Sequence, residues 1–271
     1  MNPTIATFLS KLKHQFRFAG KPELTTYGFL FSGSRNMING KFEKDESIFF
    51  MDIAKNYKGF INIGANVGYY VAMAQHIGFQ KIYAFEPNVS NFEVLQSNAR
   101  LSHHQYTVLE KVAVGDKETT LKLYGDTTGA SLVPGWSGTS SKVFNEVKVI
   151  TLDKYFDENK LPPGPILVLI DVEGFEFSVL KGMIGLLERN DLALIIEICY
   201  LEHWESINPY FEQTFVFLNN MGYNCYSVHS PKHNEISSYN QFLDYAKTNT
   251  NHHNYFFSKT SFNKLKFDNI Q

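Results

Sequence analysis

Two carboxylates one residue apart, Asp171 and Glu173, follow an aliphatic run in "ILVLIDVEGFE", and a third, Glu197, stands near the end of a similar run in "LALIIEICYLEHW". Acids in such places suit proton chemistry. A desolvated carboxylate has a raised pKa, and a positioned base that takes the proton of an attacking hydroxyl gives about 10²- to 10⁴-fold in rate. Grouped, the three could also bind a divalent cation, which prefers oxygen ligands. His203, in "YLEHW", titrates near neutrality and is a fourth candidate proton acceptor. Each has a plainer use: Asp171 or Glu173 as a cap on the following helix, Glu197 as a structural hydrogen-bond partner, His203 as a surface residue.

A second group of residues points to a ligand. "FINIGANVGYYVAMAQ", beginning at Phe60, runs from an apolar stretch into Gly64, Asn66 and Gly68 and then into a helix-like pattern. Gly64 permits a sharp turn after a strand, and Gly68 permits close approach of a helix. A dinucleotide fingerprint would need a glycine between them for the pyrophosphate, and Asn66 stands there instead. Glu86, at the end of "KIYAFE", follows Gly64 by 22 positions, where a carboxylate can accept bonds from both ribose hydroxyls. Pro87 fits the first turn of the next helix. The pair of motifs reads as a nucleoside pocket without a diphosphate; a tight connection and a solvated helix-start acid are the plain alternative.

These residues need a scaffold that brings strand ends together. Short β-branched or aliphatic runs, "FINIG", "KIYAFE", "YTVLEKVAV", "ILVLID" and "LALIIEI", alternate with helical patterns at Val71–Ile77, Phe92–Leu101, Phe177–Leu187 and Phe211–Leu218. Such alternation predicts crossover units around a mainly parallel sheet. "YNCYSV" and "NYFFS" are expected to form an antiparallel edge, with no strong helix between them. The Gly/Ser/Thr-rich stretch at about 117–150 reads as an insertion, a hairpin plus a loop over the site. Within it, Trp136 could stack on a sugar face or anchor the loop.

The 271 residues carry 25 basic and 27 acidic side chains, a net charge of −2, which argues against nucleic acid as a partner. Hydrophobic residues make up 44% of the chain, enough for a sizeable core. Two cysteines without metal or redox spacing suit a cytoplasmic location, and no apolar run approaches the length of a transmembrane segment. Residues 1–58 read as a helical or extended extension packing on the core, beginning with a short amphipathic helix, and residues 59–271 as the ligand-binding domain. That extension also leaves a homo-oligomer open.

Taken in order, "INGKFEKDESIFF", "FINIGANVGYYVAMAQ", "KIYAFEPNVSNFEVLQSN", "EKVAVGDKETTLKLY", "VKVITLDKYF", "LVLIDVEGFEFSVLKG" and "LALIIEI" resemble the FkbM-type S-adenosylmethionine-dependent methyltransferases across roughly residues 38–200. The resemblance implies an α/β, Rossmann-like class I methyltransferase fold: a seven-stranded, mostly parallel sheet with an antiparallel last strand and helices on both faces. It implies S-adenosyl-L-methionine as cofactor, with Gly64, Asn66 and Gly68 flanking its methionyl part, Glu86 on the ribose, and Ala113 to Asp116 near adenine. Asn62, Ala65, Tyr69, Pro87, Asn88 and Asp171 complete the implied cofactor set. "ASL" at 130–132 is similar to a family block, which implies that Ser131 faces the cleft. The acceptor class implied is a small molecule or glycan, methylated on a hydroxyl of a saccharide, glycoconjugate or related natural product.

One departure stands in the first block, where the family usually has Asp and this chain has Asn62; its carbonyl oxygen can orient an ammonium but brings no negative charge. Two rival readings use the same residues. A nicotinamide-dependent oxidoreductase is opposed by Asn66, and a non-catalytic nucleoside-binding module is hinted at by Asn62.

Overall fold

The computed structural model describes residues 20–125, 129–136, 141–200, 208–229, 233–251 and 253–265. The helix expected in the first 18 residues and His203 lie outside them. The chain opens with a small hairpin, β1 (Glu23–Leu24) and β2 (Leu30–Phe31), then helices α1 (Arg35–Ile38) and α2 (Lys44–Ala54). Four alternating elements follow: β3 (Gly59–Ile63), α3 (Tyr69–Ile77), β4 (Lys81–Phe85) and α4 (Val89–Ala99). After β5 (Thr107–Glu110) come β6 (Ala113–Val114), β7 (Thr119–Tyr124) and β8 (Phe144–Ile150), then α5 (Leu152–Glu158). The next unit is β9 (Ile166–Ile170), α6 (Glu176–Lys181), α7 (Ile184–Leu187) and β10 (Leu192–Glu197). The last comprises α8 (Phe211–Asn220), β11 (Asn224–Ser227), β12 (Glu235–Ile236), α9 (Tyr239–Thr248) and β13 (Asn254–Ser258).

The central sheet has the order β12-β11-β13-β10-β9-β3-β4-β5. It is mixed and eight-stranded rather than seven-stranded. The five strands from β5 to β10 are mutually parallel, while β13 runs antiparallel between β10 and β11. The additional strand is the two-residue edge β12, paired to β11 through Cys225 and Tyr226. So short a strand carries no alternation that the sequence could show.

Three other differences are local. "YTVLEKVAV" divides: β5 joins the main sheet, whereas β6 pairs with β8 in a separate three-stranded sheet completed by β7. The single helix expected over 177–187 breaks at Gly182, where a Cβ would lie 1.9 Å from the Gly115 carbonyl oxygen and only glycine fits. A ten-residue helix, α9, fills the connection expected to lack one. Ser238 caps it by accepting from the Gln241 N–H, and Gln241 accepts from the Ser237 N–H, a reciprocal arrangement that starts a helix despite few apolar residues.

Both faces of the sheet are covered, so β3, β9 and β10 are buried throughout and read as continuous aliphatic runs. Ile61, Ile63, Val168 and Ile170 face the side packed by α6 to α9. Phe60, Ala84, Leu167 and Leu169 face the side where α3 and the residues from Phe29 to Ala54 pack. Asn98 stitches that early segment to the domain: its side chain accepts from the Ser32 N–H at 2.9 Å and donates to the carbonyls of Ser32 and Val67 at 3.1 and 2.9 Å.

Register decides where chemistry can occur. Ile63 pairs with Phe85 on one side and Ile170 on the other, and Ile170 pairs with Ile196. The next residues along the four strands are Gly64, Glu86, Asp171 and Glu197, which therefore emerge side by side at the carboxyl end of the sheet.

Candidate active site

The glycine turn is built against its neighbours. Gly64 has φ +81°, and a Cβ on it would fall 1.7 Å from the Asp171 carbonyl oxygen, so the tips of β3 and β9 can approach only because no side chain intervenes. The N–H groups of Gly64 and Ala65 both donate to the Phe85 carbonyl, at 2.9 and 3.0 Å. Asn66 takes a left-handed conformation, φ +51°, which asparagine tolerates better than most residues. The chain then turns through Gly68 into α3.

Glu86 lies directly beneath this turn and is 5% exposed. One carboxylate oxygen accepts from the Asn66 N–H and the other from the Asn88 N–H, both at 2.8 Å. Burial pushes its pKa up to about 7 against the lowering effect of those two donors and of a third, the Asn91 side chain. A carboxylate has about four lone-pair sites, so capacity for a further donor remains. Asn88 caps α4, accepting from the N–H groups of Ser90 and Asn91.

Beside the turn opens a cleft lined at its base by Gly64, Asn66, Glu86, Pro87 and Asn91. Its apolar walls are Val112, Val114, Leu123, Leu132 and Phe175, and Asp171 and Glu173 line it too. The cleft fits a nucleoside on two counts. Glu86 has acceptor capacity to offer, and Asn91, 3% exposed, holds a side-chain oxygen without a partner. A ring between apolar walls and hydroxyls above Glu86 would satisfy these groups.

Carboxylates crowd the other end. Asp171 and Glu197 are hydrogen-bonded to one another, and desolvation pushes both pKa values up. Glu173, in a left-handed conformation at φ +54°, is pushed up to about 7 by burial and by Asp171. Two acids that the sequence did not single out join them. Glu43 arrives from the segment ahead of α2, also left-handed at φ +41°, accepts from the Tyr70 hydroxyl at 2.8 Å and is pushed up to about 8, first by burial and then by Asp171. Glu176, buried and raised to about 8 by desolvation, accepts from the Gly174 N–H at 2.8 Å. No group of three or more His, Cys, Asp or Glu among the described residues is placed to hold a metal ion.

Other expected site residues fall outside the cleft wall. Asn62 projects from β3 toward the face of Ala84 and Leu169, is 2% exposed and has an unpartnered side-chain oxygen. Ala65 and Tyr69 pack in the core on that side, Tyr69 in edge contact with Phe29, Phe31 and Phe42. Ala113 lines the cleft, but Asp116 sits in a neighbouring groove, paired to Lys181 at 2.7 Å and bonded to Ser178. Ser131 and Trp136 are buried against the Asp171–Gly174 turn. Of the residues missed, Asn91 had a local signal, three positions past the cap residue Asn88, whereas Glu43 had none.

No curated protein sequence matches the chain. Among solved structures it is similar to a methyltransferase FkbM from Methylobacillus flagellatus KT, at 15% identity and TM-score 0.46, over 74% of this chain and 44% of that one. The chain thus spans less than half the length of that protein. It is also similar to a precorrin-6y C5,15-methyltransferase from Geobacter metallireducens GS-15, at 11% identity and TM-score 0.41, over 83% and 90% of the two chains. A third similar structure is the O-methyltransferase TomG from Streptomyces achromogenes, at 9% identity and TM-score 0.45, over 93% and 87%. No helix among the described residues is long and apolar enough to cross a membrane. The family model of the methyltransferase FkbM domain matches residues 62–225, more than half of the sequence and the whole run from the glycine turn to β11, and on that match the chain belongs to the FkbM family of S-adenosylmethionine-dependent methyltransferases.

Proposed function

We propose that this chain transfers the methyl group of S-adenosylmethionine to a hydroxyl oxygen of a small-molecule or glycan acceptor, a saccharide hydroxyl before others. The observation that carries the oxygen chemistry is the set of buried carboxylates, Asp171, Glu173 and Glu197, beside the nucleoside cleft. The preference for a sugar rests on family analogy.

In this reading the Gly64–Gly68 turn and Glu86 hold the nucleoside, Glu86 accepting from the ribose hydroxyls and the walls from Val112 to Phe175 packing the base. When bound, the cofactor supplies an electrophilic methyl on a cationic sulfur. Asp171, hydrogen-bonded to Glu197, complements that cation when ionised. Glu173 is the base: with a pKa of about 7 it is ionised in part near neutrality and takes the hydroxyl proton as the C–O bond forms and the C–S bond breaks. Alignment and exclusion of water supply most of the remaining effect. The same reading assigns residues 59–271 to methyl transfer, with 117–150 folded over the cleft, and residues 1–58 to an extension that contributes Glu43.

Thermal shift with S-adenosylhomocysteine and with NAD tests the cofactor side, and only the former is expected to stabilise the protein. Transfer of labelled methyl to a saccharide panel tests the chemistry: Asp171→Asn and Glu173→Gln should each lower transfer by about 10²-fold or more while keeping S-adenosylhomocysteine binding. Stabilisation by NAD alone, or full transfer by both variants, would reject the proposal.

A further inference from the structure

Trp136 is 3% exposed, and Gly174 packs so tightly on its six-membered ring that a Cβ there would lie 2.4 Å from it. A ring so enclosed has no face to offer a sugar. Its polar edge is committed as well: the indole N–H donates to the Glu173 carboxylate at 2.7 Å. Five residues earlier, Ser131 is fully buried, its hydroxyl donates to the Glu173 carbonyl at 2.5 Å, and the same oxygen accepts from the Val133 N–H at 2.9 Å. A bridge between Ser131 and Tyr124 fastens this stretch to the end of β7.

Both bonds converge on a residue whose backbone is unusual. Glu173 is one of only three non-glycine residues with positive φ among those described, and Gly174 follows at φ +93°. A two-residue left-handed kink of this kind persists only where its surroundings hold it. We propose that the segment from Ser131 to Trp136 is a clamp that positions Glu173, Ser131 fixing its main chain and Trp136 fixing its carboxylate at the cleft. Trp136 is therefore a positioning residue that acts through Glu173, and the insertion that carries it serves the acid and not the acceptor directly. The consequence for methyl transfer rests on Glu173 being the base proposed above; the clamp itself does not.

The charged and titratable groups that act on Glu173 from the packed elements are Glu43, Asp171, Glu176, Glu197 and Cys199, and all become anions on ionising. Against them the indole N–H favours the carboxylate form. Removing it should move the Glu173 titration upward.

Two readouts that need neither acceptor nor cofactor test the clamp. The sequence has two tryptophans, so Trp204→Phe leaves Trp136 as the single indole in ¹⁵N-labelled protein. Its N–H resonance should shift between pH 5 and 9 with a midpoint near 7, and the shift should vanish in Glu173→Gln. In protein labelled with ¹³C at glutamate carboxyls, Trp136→Phe, which retains a ring against Gly174, should raise the Glu173 midpoint. An indole resonance that stays flat, or shifts equally in Glu173→Gln, overturns the clamp, as does an unmoved Glu173 midpoint in Trp136→Phe. If the indole reports Glu173 while Glu173→Gln transfers methyl at the wild-type rate, the base assignment falls and the clamp stands.

Discussion

Gly64 and Gly78 allow the contact between the tips of β3 and β9 to be weighed against backbone conformation alone. Both are left-handed, at φ +81° and +94°, so an alanine at either pays a conformational cost of about 1–2 kcal/mol. Gly78 has no atom within 4 Å of where its Cβ would go, and that cost is all it should show. At Gly64 the new carbon would lie 1.7 Å from the Asp171 carbonyl oxygen, about half an ordinary non-bonded separation, and the obstacle is backbone that no side-chain rotation can relieve. Overpacking of this kind adds about 1–3 kcal/mol. Gly64→Ala should therefore be about 1–3 kcal/mol less stable than Gly78→Ala, a difference in Tm of about 2–12 °C for a chain of this size. The relief of that overlap pushes apart Asp171 and the turn over Glu86, so affinity for S-adenosylhomocysteine should fall by about 10-fold or more in Gly64→Ala and stay unchanged in Gly78→Ala. Differential scanning calorimetry and isothermal titration on the two variants give both numbers. Equal melting temperatures, or unaltered binding by Gly64→Ala, would show that the close approach of the two tips is not what shapes the cleft.

Two further outcomes follow from the buried acids. Glu86→Ala strands the N–H groups of Asn66 and Asn88, each worth about 1–3 kcal/mol if left unsatisfied, and should lose S-adenosylhomocysteine binding; wild-type affinity by titration calorimetry would show that the ribose lies elsewhere. Glu43, Glu86, Glu173 and Glu176 have folded-state pKa values of about 7 to 8, above their unfolded values, so the native state binds more protons between pH 4.5 and 8. Their contribution to stability is fully present below about pH 4.5 and is lost as pH rises through 7 to 8. The Tm of the ligand-free protein should accordingly fall between pH 6 and 8.5, less steeply in Glu86→Gln, and a flat or rising Tm would contradict the desolvation of these groups.

The strand tips were legible in the sequence because their signal is local. Each parallel strand is an aliphatic run ending on a residue that could not continue it, and equal register then brings Gly64, Glu86, Asp171 and Glu197 to one line. What the sequence could not show was which atoms meet those residues. The Gly115 carbonyl leaves no room for a side chain at Gly182, Glu43 reaches the acid cluster from before the first strand of the central sheet, and the indole on Glu173 comes from 37 positions upstream. Reading residues in order nominated Asp171 and Glu173 as equals, since both follow the same strand and both suit a turn. Their partners separate them: Asp171 is hydrogen-bonded to Glu197, and Glu173 accepts from the Trp136 N–H. The first partner is itself a titrating acid and the second an indole that never ionises, so Asp171 shares its proton with a neighbour while Glu173 titrates against a fixed donor. A base whose donor does not change with pH is the better suited to take and release one proton per turnover, and that distinction is made by residues remote in sequence from both acids.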